Sequence, residues 1–434
     1  MSHITRRHFM KASALAGLAA TNIAMPAYSR DRAPSEKINI ALVGPNGQGH
    51  FTFSNIQGEN VIALCDADSL RLEQVAGMAP EAAKFSDFRK MFETVKDLDA
   101  VCVCTPDHTH APASVMGMRM GLHCYCEKPL THSVYESRVM QQIAAEKKLV
   151  TQMGTQIHAE NNYRRVVEMV QAGAVGKIRE AHVWCGKGWG MPEDAKRPED
   201  TPACPDTLNW DAWIGPAKMR PYHPAYVPGN WRKWWDFGNG TLGDMGCHYM
   251  DLAFWALKLK DCLTVEANGP AVNAECAPLS LGVTYTFPAR GDAFPACTVT
   301  WHDGDMRAAK LDGLSLPGAG VLFVGDDDKM LFADYGGYRF FPEDKYRDYQ
   351  RPEQTIAASP GHHNEWLQGI RENKPELALC NFAYSGRLTE AVLLGTVAYR
   401  AGAKLEWNAE KLEVTNNAEA NAMIKTEYRD GWTL

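Results

Sequence analysis

The 434-residue chain has no excess of basic charge: its formal net charge is −7 and its isoelectric point is near 6.1. No basic run follows the first dozen residues. The electrostatic footprint of a nucleic-acid binder is therefore missing, and a small neutral or cationic ligand fits better than a polyanion. The chain also lacks internal repeats and low-complexity tracts, which argues against solenoid and disordered architectures. Its first apolar stretch, 12–24, is too short to span a bilayer comfortably. What remains, with 45% apolar and 22% charged residues, is a globular composition long enough for two cores.

Arg6-Arg7 precedes that apolar stretch, and Ala27-Tyr28-Ser29 offers small residues to a signal peptidase. Residues 1–29 are expected to be a twin-arginine signal peptide that sends the protein to the periplasm, with no stable membrane span after processing. An uncleaved anchor or a plain amphipathic helix is the alternative. Such signals export folded proteins, so a cofactor loaded in the cytoplasm would travel with the chain.

Short apolar runs at 37–43, 61–65, 83–85, 100–104, 122–126 and 150–154 alternate with helix-like stretches such as 69–78 and 111–120. Strands apolar on both faces, separated by helices, predict a doubly wound parallel sheet, a Rossmann domain over 35–155. From about residue 178 the texture changes to alternating segments at 178–185, 281–287 and 297–301. They predict a C-terminal α/β domain over 156–434 with a large open, mainly antiparallel sheet. Helical patterns at 363–371 and 385–401 close the chain, while 189–240 reads as long functional loops. Of the twelve cysteines, Cys102, Cys104, Cys124 and Cys126 alternate within strand-like runs. Without a ligand-spaced histidine they read as small buried hydrophobes, and no metal site is expected.

Gly44-Pro45-Asn46-Gly47-Gln48-Gly49 follows the first strand and opens a helix, the context a dinucleotide fingerprint requires. The first glycine makes the tight turn, and the last lets helix and strand pack while the helix N-terminus faces the pyrophosphate. Asn46 stands at the middle glycine, as the residue other than glycine best able to take positive φ. Asp66 ends the next strand about 20 residues on, where a carboxylate accepts from the adenosine ribose and repels a 2′-phosphate. NAD is thus favoured over NADP. Thr105-Pro106 and Glu127-Lys128-Pro129 end the fourth and fifth strands at the crevice edge, with the Lys128-Pro129 bond a candidate for cis geometry. His110 and Gln156 complete the candidate cofactor contacts.

The run 244–257 is apolar almost all round, as a buried helix is. At about 100° per residue, Asp244, His248 and Asp251 fall at about 0°, 40° and −20°, one polar stripe. Buried polar groups need partners or a purpose; either Asp244 caps the helix and His248 is a satisfied core histidine, or the stripe is functional. Lys128, Asp244 and His248 are the candidate catalytic residues. The same three, with Tyr222, Trp231 and Arg232, are the candidate substrate contacts, from a region that also holds Trp189, His223, Tyr226 and Trp235.

From about Ser35 to the C-terminus the chain resembles the glucose-fructose oxidoreductase, inositol dehydrogenase and rhizopine-catabolism family, written Gfo/Idh/MocA. The glycine loop, Cys65-Asp66, Thr105-Pro106-Asp107-His108-Thr109-His110, Glu127-Lys128-Pro129 and Gly243-Asp244-Met245-Gly246-Cys247-His248 carry the resemblance. With the leader and Trp231-Arg232-Lys233-Trp234-Trp235, the chain looks similar to that family's exported branch. The resemblance implies a homo-oligomer formed through the C-terminal sheet, and Lys128 with Asp244 and His248 as the catalytic set.

The expected chemistry is hydride transfer between the carbinol of a sugar or polyol and a tightly held NAD, with His248 as base, Asp244 orienting and Lys128 donating to the reacting oxygen. A glycoside hydrolase or lyase that works by transient oxidation at sugar C3 is the rival. A non-catalytic dinucleotide-dependent sugar-binding protein is the third reading.

Overall fold

The computed structural model describes residues 36–306, 311 and 313–434. The expected leader, 1–29, lies outside them. Six strands form the first sheet: β1 (Asn39–Val43), β2 (Asn60–Cys65), β3 (Ala83–Phe85), β4 (Ala100–Val103), β5 (His123–Cys126) and β6 (Thr151–Met153). They alternate with helices α1 (Gln48–Ile56), α2 (Ser69–Ala76), α3 (Phe88–Thr94), α4 (Asp107–Arg119) and α5 (Val134–Glu146). All pairings are parallel, in the order β3-β2-β1-β4-β5-β6. The strand order reverses between β1 and β4, so a crevice opens outside their carboxyl ends, where the glycine loop lies.

Register explains the cysteines. Val101 pairs with Cys124, and Cys102 pairs with Tyr125. Paired residues point to the same face of a sheet and neighbours along a strand to opposite faces. Cys102 therefore projects away from Cys124 and Cys126, and the two Cys-x-Cys pairs pack into different cores.

The second sheet runs β13-β12-β11-β7-β10-β9-β8-β14-β15. Its strands are β7 (Glu180–Cys185), β8 (Thr264–Asn268), β9 (Gly282–Phe287), β10 (Cys297–Asp303), β11 (Ala319–Val324), β12 (Met330–Ala333), β13 (Tyr338–Phe341), β14 (Leu405–Asn408) and β15 (Glu413–Val414). Only β7 and β10 pair in parallel, so the sheet is mixed and mainly antiparallel. The helices of this half include α6 (Asn161–Gln171), α7 (Trp210–Ile214), α8 (Gly240–Ala256), α9 (His362–Glu372) and α10 (Phe382–Ala401). α8 lies on β7, β10 and β11, and nearly every residue of it is buried, as a sequence apolar almost all round demands. α9 returns to the first sheet: Trp366 Nε1 donates to Val150 O at 3.2 Å, and the His363 ring stacks on Tyr125 at 4.7 Å. Among the described residues, no helix is long and apolar enough to cross a membrane.

Candidate active site

The glycine loop has the close approaches its sequence demands. Gly44, at φ +76°, donates its N–H to Cys65 O at 2.8 Å. A Cβ there would sit 2.7 Å from Cys104 O, and one on Gly49 would sit 1.8 Å from Gly44 O. Glycine alone fits both positions. Positive φ falls on Gly44 and Gly47, not on Asn46 as the motif suggested. Instead the Asn46 carboxamide braces the loop, donating to Arg71 O at 2.9 Å and Gln74 Oε1 at 2.7 Å and accepting from Gly47 N at 2.6 Å. No side chain caps α1; within the turn Gly49 N donates to Asn46 O at 3.1 Å and His50 N to Gly47 O at 3.2 Å.

The loop floors a cleft of about 600 Å³ bordered by both domains. Gly44, Asn46, Gly47, Gln48 and Asp66 line it from the first domain, with Thr105, Pro106, Glu127 and Lys128 beyond β4 and β5. Asp66 accepts from Asp68 N at 3.0 Å, and burial raises its pKa to about 6. Thr105 Oγ1 and Glu127 Oε2 are buried without a partner, and burial pushes Glu127 up to about 7. Orphaned polar atoms in a cleft floored by a glycine turn fit a dinucleotide that brings hydrogen-bonding groups. Gly49, His110 and Gln156 are not part of the lining. Gly49 serves helix packing. His110 lies beneath, its nitrogens 2.8 Å from Pro129 O and 2.7 Å from Thr105 O, tying the ends of β4 and β5 together. Gln156 Nε2 donates to Glu127 Oε1 at 3.3 Å.

Lys128 follows β5 on a cis bond to Pro129 and reaches across to α8. Its Nζ donates to Asp244 O and to Asp244 Oδ1, both at 2.9 Å, and Arg232 Nε meets the same Oδ1 at 2.9 Å. Burial works against the charge on Lys128, yet Asp244 and Glu127 outweigh it and the pKa rises. Burial likewise opposes the Asp244 anion, and Lys128 with Arg232 outweighs it, holding the carboxyl well below its ordinary range. His248, one turn on, has Nδ1 buried without a partner, and burial followed by the Lys128 charge lowers it to about 3, a neutral imidazole.

The polar stripe on α8 thus splits: none of its three residues lines the cleft, and Asp244 is joined to it through Lys128 and Arg232, which do. Asp251 turns to His158 Nδ1 at 2.9 Å and the Tyr384 hydroxyl at 2.7 Å, an internal network in which Asp251 and His158 are buried and Tyr384 is partly so. Asp107 is the group the stripe did not reveal. It begins α4, lines the cleft and is buried, and burial raises its pKa to about 8 despite Arg232 and Lys128. Its signal in the sequence is an acidic residue in the first turn of a helix that opens at the crevice.

Tyr222, Trp231 and Arg232 also line the cleft. The Arg232 guanidinium lies 4.2 Å from the Trp231 ring centre and 5.4 Å from that of Trp189. Trp235 and Tyr226 are core residues, and His223 pairs with Asp200.

Comparison with known proteins places the fold that carries this geometry. Residues 38–155 match the Gfo/Idh/MocA oxidoreductase family's NAD-binding Rossmann fold, and 160–291 match its C-terminal α/β domain. A glycosyl hydrolase family 109 protein of Shewanella baltica is 27% identical over 207 residues, 41% of this chain and 45% of that protein. Inositol 2-dehydrogenase 4 of Saccharopolyspora erythraea is 32% identical over 149 residues, 33% of this chain and 44% of that protein. The matches thus span less than half the length of these relatives. Among solved structures, the WlbA dehydrogenase of Chromobacterium violaceum with NADH and UDP-GlcNAcA aligns at TM-score 0.60 and 16% identity, over 86% of this chain and 97% of that one. An inositol dehydrogenase homologue of Azotobacter vinelandii with NADH and myo-inositol aligns at 0.56 and 17%, over 86% and 98%. At these identities the structures show a common fold.

Proposed function

Because the chain belongs to the Gfo/Idh/MocA oxidoreductase family, we propose that it oxidises or reduces a sugar or polyol carbinol with a tightly held NAD. The observation that carries this reading is the Lys128–Asp244 pair, which joins the end of the first sheet to α8 where Lys128 lines the cleft. Gly44, Gly47, Asp66, Thr105 and Glu127 would hold the dinucleotide. Its nicotinamide supplies the two-electron acceptor and donor.

Lys128 spends two of its three N–H groups on Asp244, leaving the third for the substrate oxygen. Asp244, fixed between Lys128 and Arg232, keeps that ammonium charged and aimed. His248 is neutral near pH 7, and with Nδ1 enclosed it accepts the hydroxyl proton at Nε2. Tyr222 offers an aromatic face to the apolar side of a sugar ring, and Trp231, buried beneath the Arg232 guanidinium, backs that cation at the cleft. Twin-arginine export to the periplasm and a homo-oligomer built on the nine-stranded sheet belong to the same proposal.

The family 109 relatives favour a second reading, NAD-dependent glycoside cleavage by transient oxidation at sugar C3. One experiment tests both. The purified protein is denatured to release and identify its cofactor, and the native protein is screened against sugars and nitrophenyl glycosides for nicotinamide absorbance and aryl release together. Reduction of the nicotinamide by a free sugar or polyol supports the oxidoreductase. Aryl release without net reduced cofactor supports the glycosidase. A nicotinamide that no sugar or glycoside turns over leaves only a non-catalytic binding protein, and absence of any dinucleotide sinks all three.

A further inference from the structure

A Rossmann sheet alone leaves the adenosine end of its crevice open along the exit of β2. Here a segment of the second domain, about 140 residues away in sequence, crosses that exit. Leu208 forms an antiparallel bridge with Asp68. Ser69 N donates to Thr207 O at 2.9 Å and Asn209 N donates to Ala67 O at 2.8 Å, one hydrogen bond on either side of the bridge. The Ser69 hydroxyl adds a bond to Thr207 O at 3.1 Å, and Asn209 Nδ2 reaches Ser86 Oγ at 3.4 Å.

The segment then enters α7, and its attachment is reinforced. Asn209 Oδ1 caps that helix, accepting from Ala212 N at 3.1 Å. Asp211 sits between two cations, 3.7 Å from Arg89 Nη2 on α3 and 2.7 Å from Arg429 Nη2 near the C-terminus. The side chains on the inner side of this strap face the cleft. Pro205, Leu208 and Ala212 line it together with Asp66, Leu70 and Phe88. Leu70 is largely exposed, 58%, although it lines the cleft, so apolar surface stands uncovered where an adenine ring would lie.

We propose that residues 205–212 form a clasp closing over the adenosine of the bound dinucleotide, so that a flat apolar base is held between Leu70 and Phe88 on one side and Pro205 and Leu208 on the other. The inference rests on the NAD-dependent reading above and deepens it. Retention becomes a property of a second-domain strap, and release of the dinucleotide from this end requires the Asp68–Leu208 bridge to part. An aromatic base sandwiched between apolar side chains loses most of its contact with water, which slows dissociation more than association.

The test measures dissociation of radiolabelled NAD from the full-length protein, chased with unlabelled NAD. Leu208→Gly removes the inner contact, Asn209→Ala removes the cap and the Ser86 bond while keeping Leu208, and Leu208→Met restores apolar volume. Both disrupting variants are expected to release NAD about tenfold faster, the ratio given by about 1.4 kcal/mol, and Leu208→Met to release it at the original rate. Circular dichroism checks that each variant is folded, and an unfolded Leu208→Gly leaves Asn209→Ala and Leu208→Met to decide. Release at the original rate from folded disrupting variants overturns the clasp and leaves the proposed function standing. An original protein that takes up no NAD overturns the function itself.

Discussion

Lys128 Nζ lies 2.9 Å from Asp244 Oδ1 although 116 residues separate them in sequence. One sits at the end of a parallel strand and the other inside a buried helix of the second domain. The contact is therefore a seam between the domains, with Lys128 in the lining of the cleft and Asp244 behind it, outside the lining.

Breaking that seam has a measurable cost. Removing one partner of a buried ion pair leaves the other charge uncompensated, a loss of roughly 3–5 kcal/mol, softened here because Arg232 still faces Asp244. Lys128→Met and Asp244→Leu are each expected to lower stability to denaturant, and the double variant to lose less than the sum of the two. Coupling within the usual range of roughly 0.5–3 kcal/mol is what a double-mutant cycle should return. Strict additivity would show that the pair holds nothing.

His248 carries the proton in the proposed chemistry. His248→Ala is expected to reduce turnover by about 10²–10⁴, the span of a general base, while the protein keeps its affinity for NAD. Single-turnover kinetics beside a binding isotherm separates the two effects, and full turnover in the variant removes His248 from the mechanism.

Asp107 makes stability depend on pH in a direction opposite to most carboxylates. Burial raises its pKa from 3.8 to about 8, so the folded protein holds this proton more tightly than the unfolded chain. Its contribution is fully present below pH 3.8 and is lost progressively as pH rises to about 8. Asp107→Asn, which cannot ionise, is expected to gain on the original protein through that window and keep a constant advantage above it. Each kcal/mol moves the midpoint by about 2–4 °C in domains of 150–250 residues, so melting curves without NAD at pH 6 and pH 9 give the comparison. An advantage that does not grow with pH would place the Asp107 proton elsewhere.

Much of this was readable in the chain. Gly49 packs on Gly44 O within one turn and the Asp66 carboxylate accepts from Asp68 N, contacts between near neighbours that the spacing marks, whereas Gly44 meets Cys65 and Cys104 across the sheet. The parallel sheet follows from strands apolar on both faces. The motif does not reveal what Asn46 does, because a carboxamide can brace a loop through its side chain as readily as it can adopt an unusual backbone.

The α8 stripe marks the boundary between the two kinds of knowledge. Helical periodicity put Asp244, His248 and Asp251 on one side of a helix, but periodicity fixes direction without saying what lies opposite. Only the packed domains decide that Asp244 faces Lys128 and Arg232 while Asp251 faces His158 and Tyr384. Likewise the burial that shifts Asp107 and the bridge between Asp68 and Leu208 arise from segments far apart in the chain. Composition and spacing determined the strands, the glycine turn and the residue types at the crevice, because those depend on neighbours in sequence. Partners, charge states and closure were decided by tertiary structure, because solvation and Coulomb energies depend on distance in space.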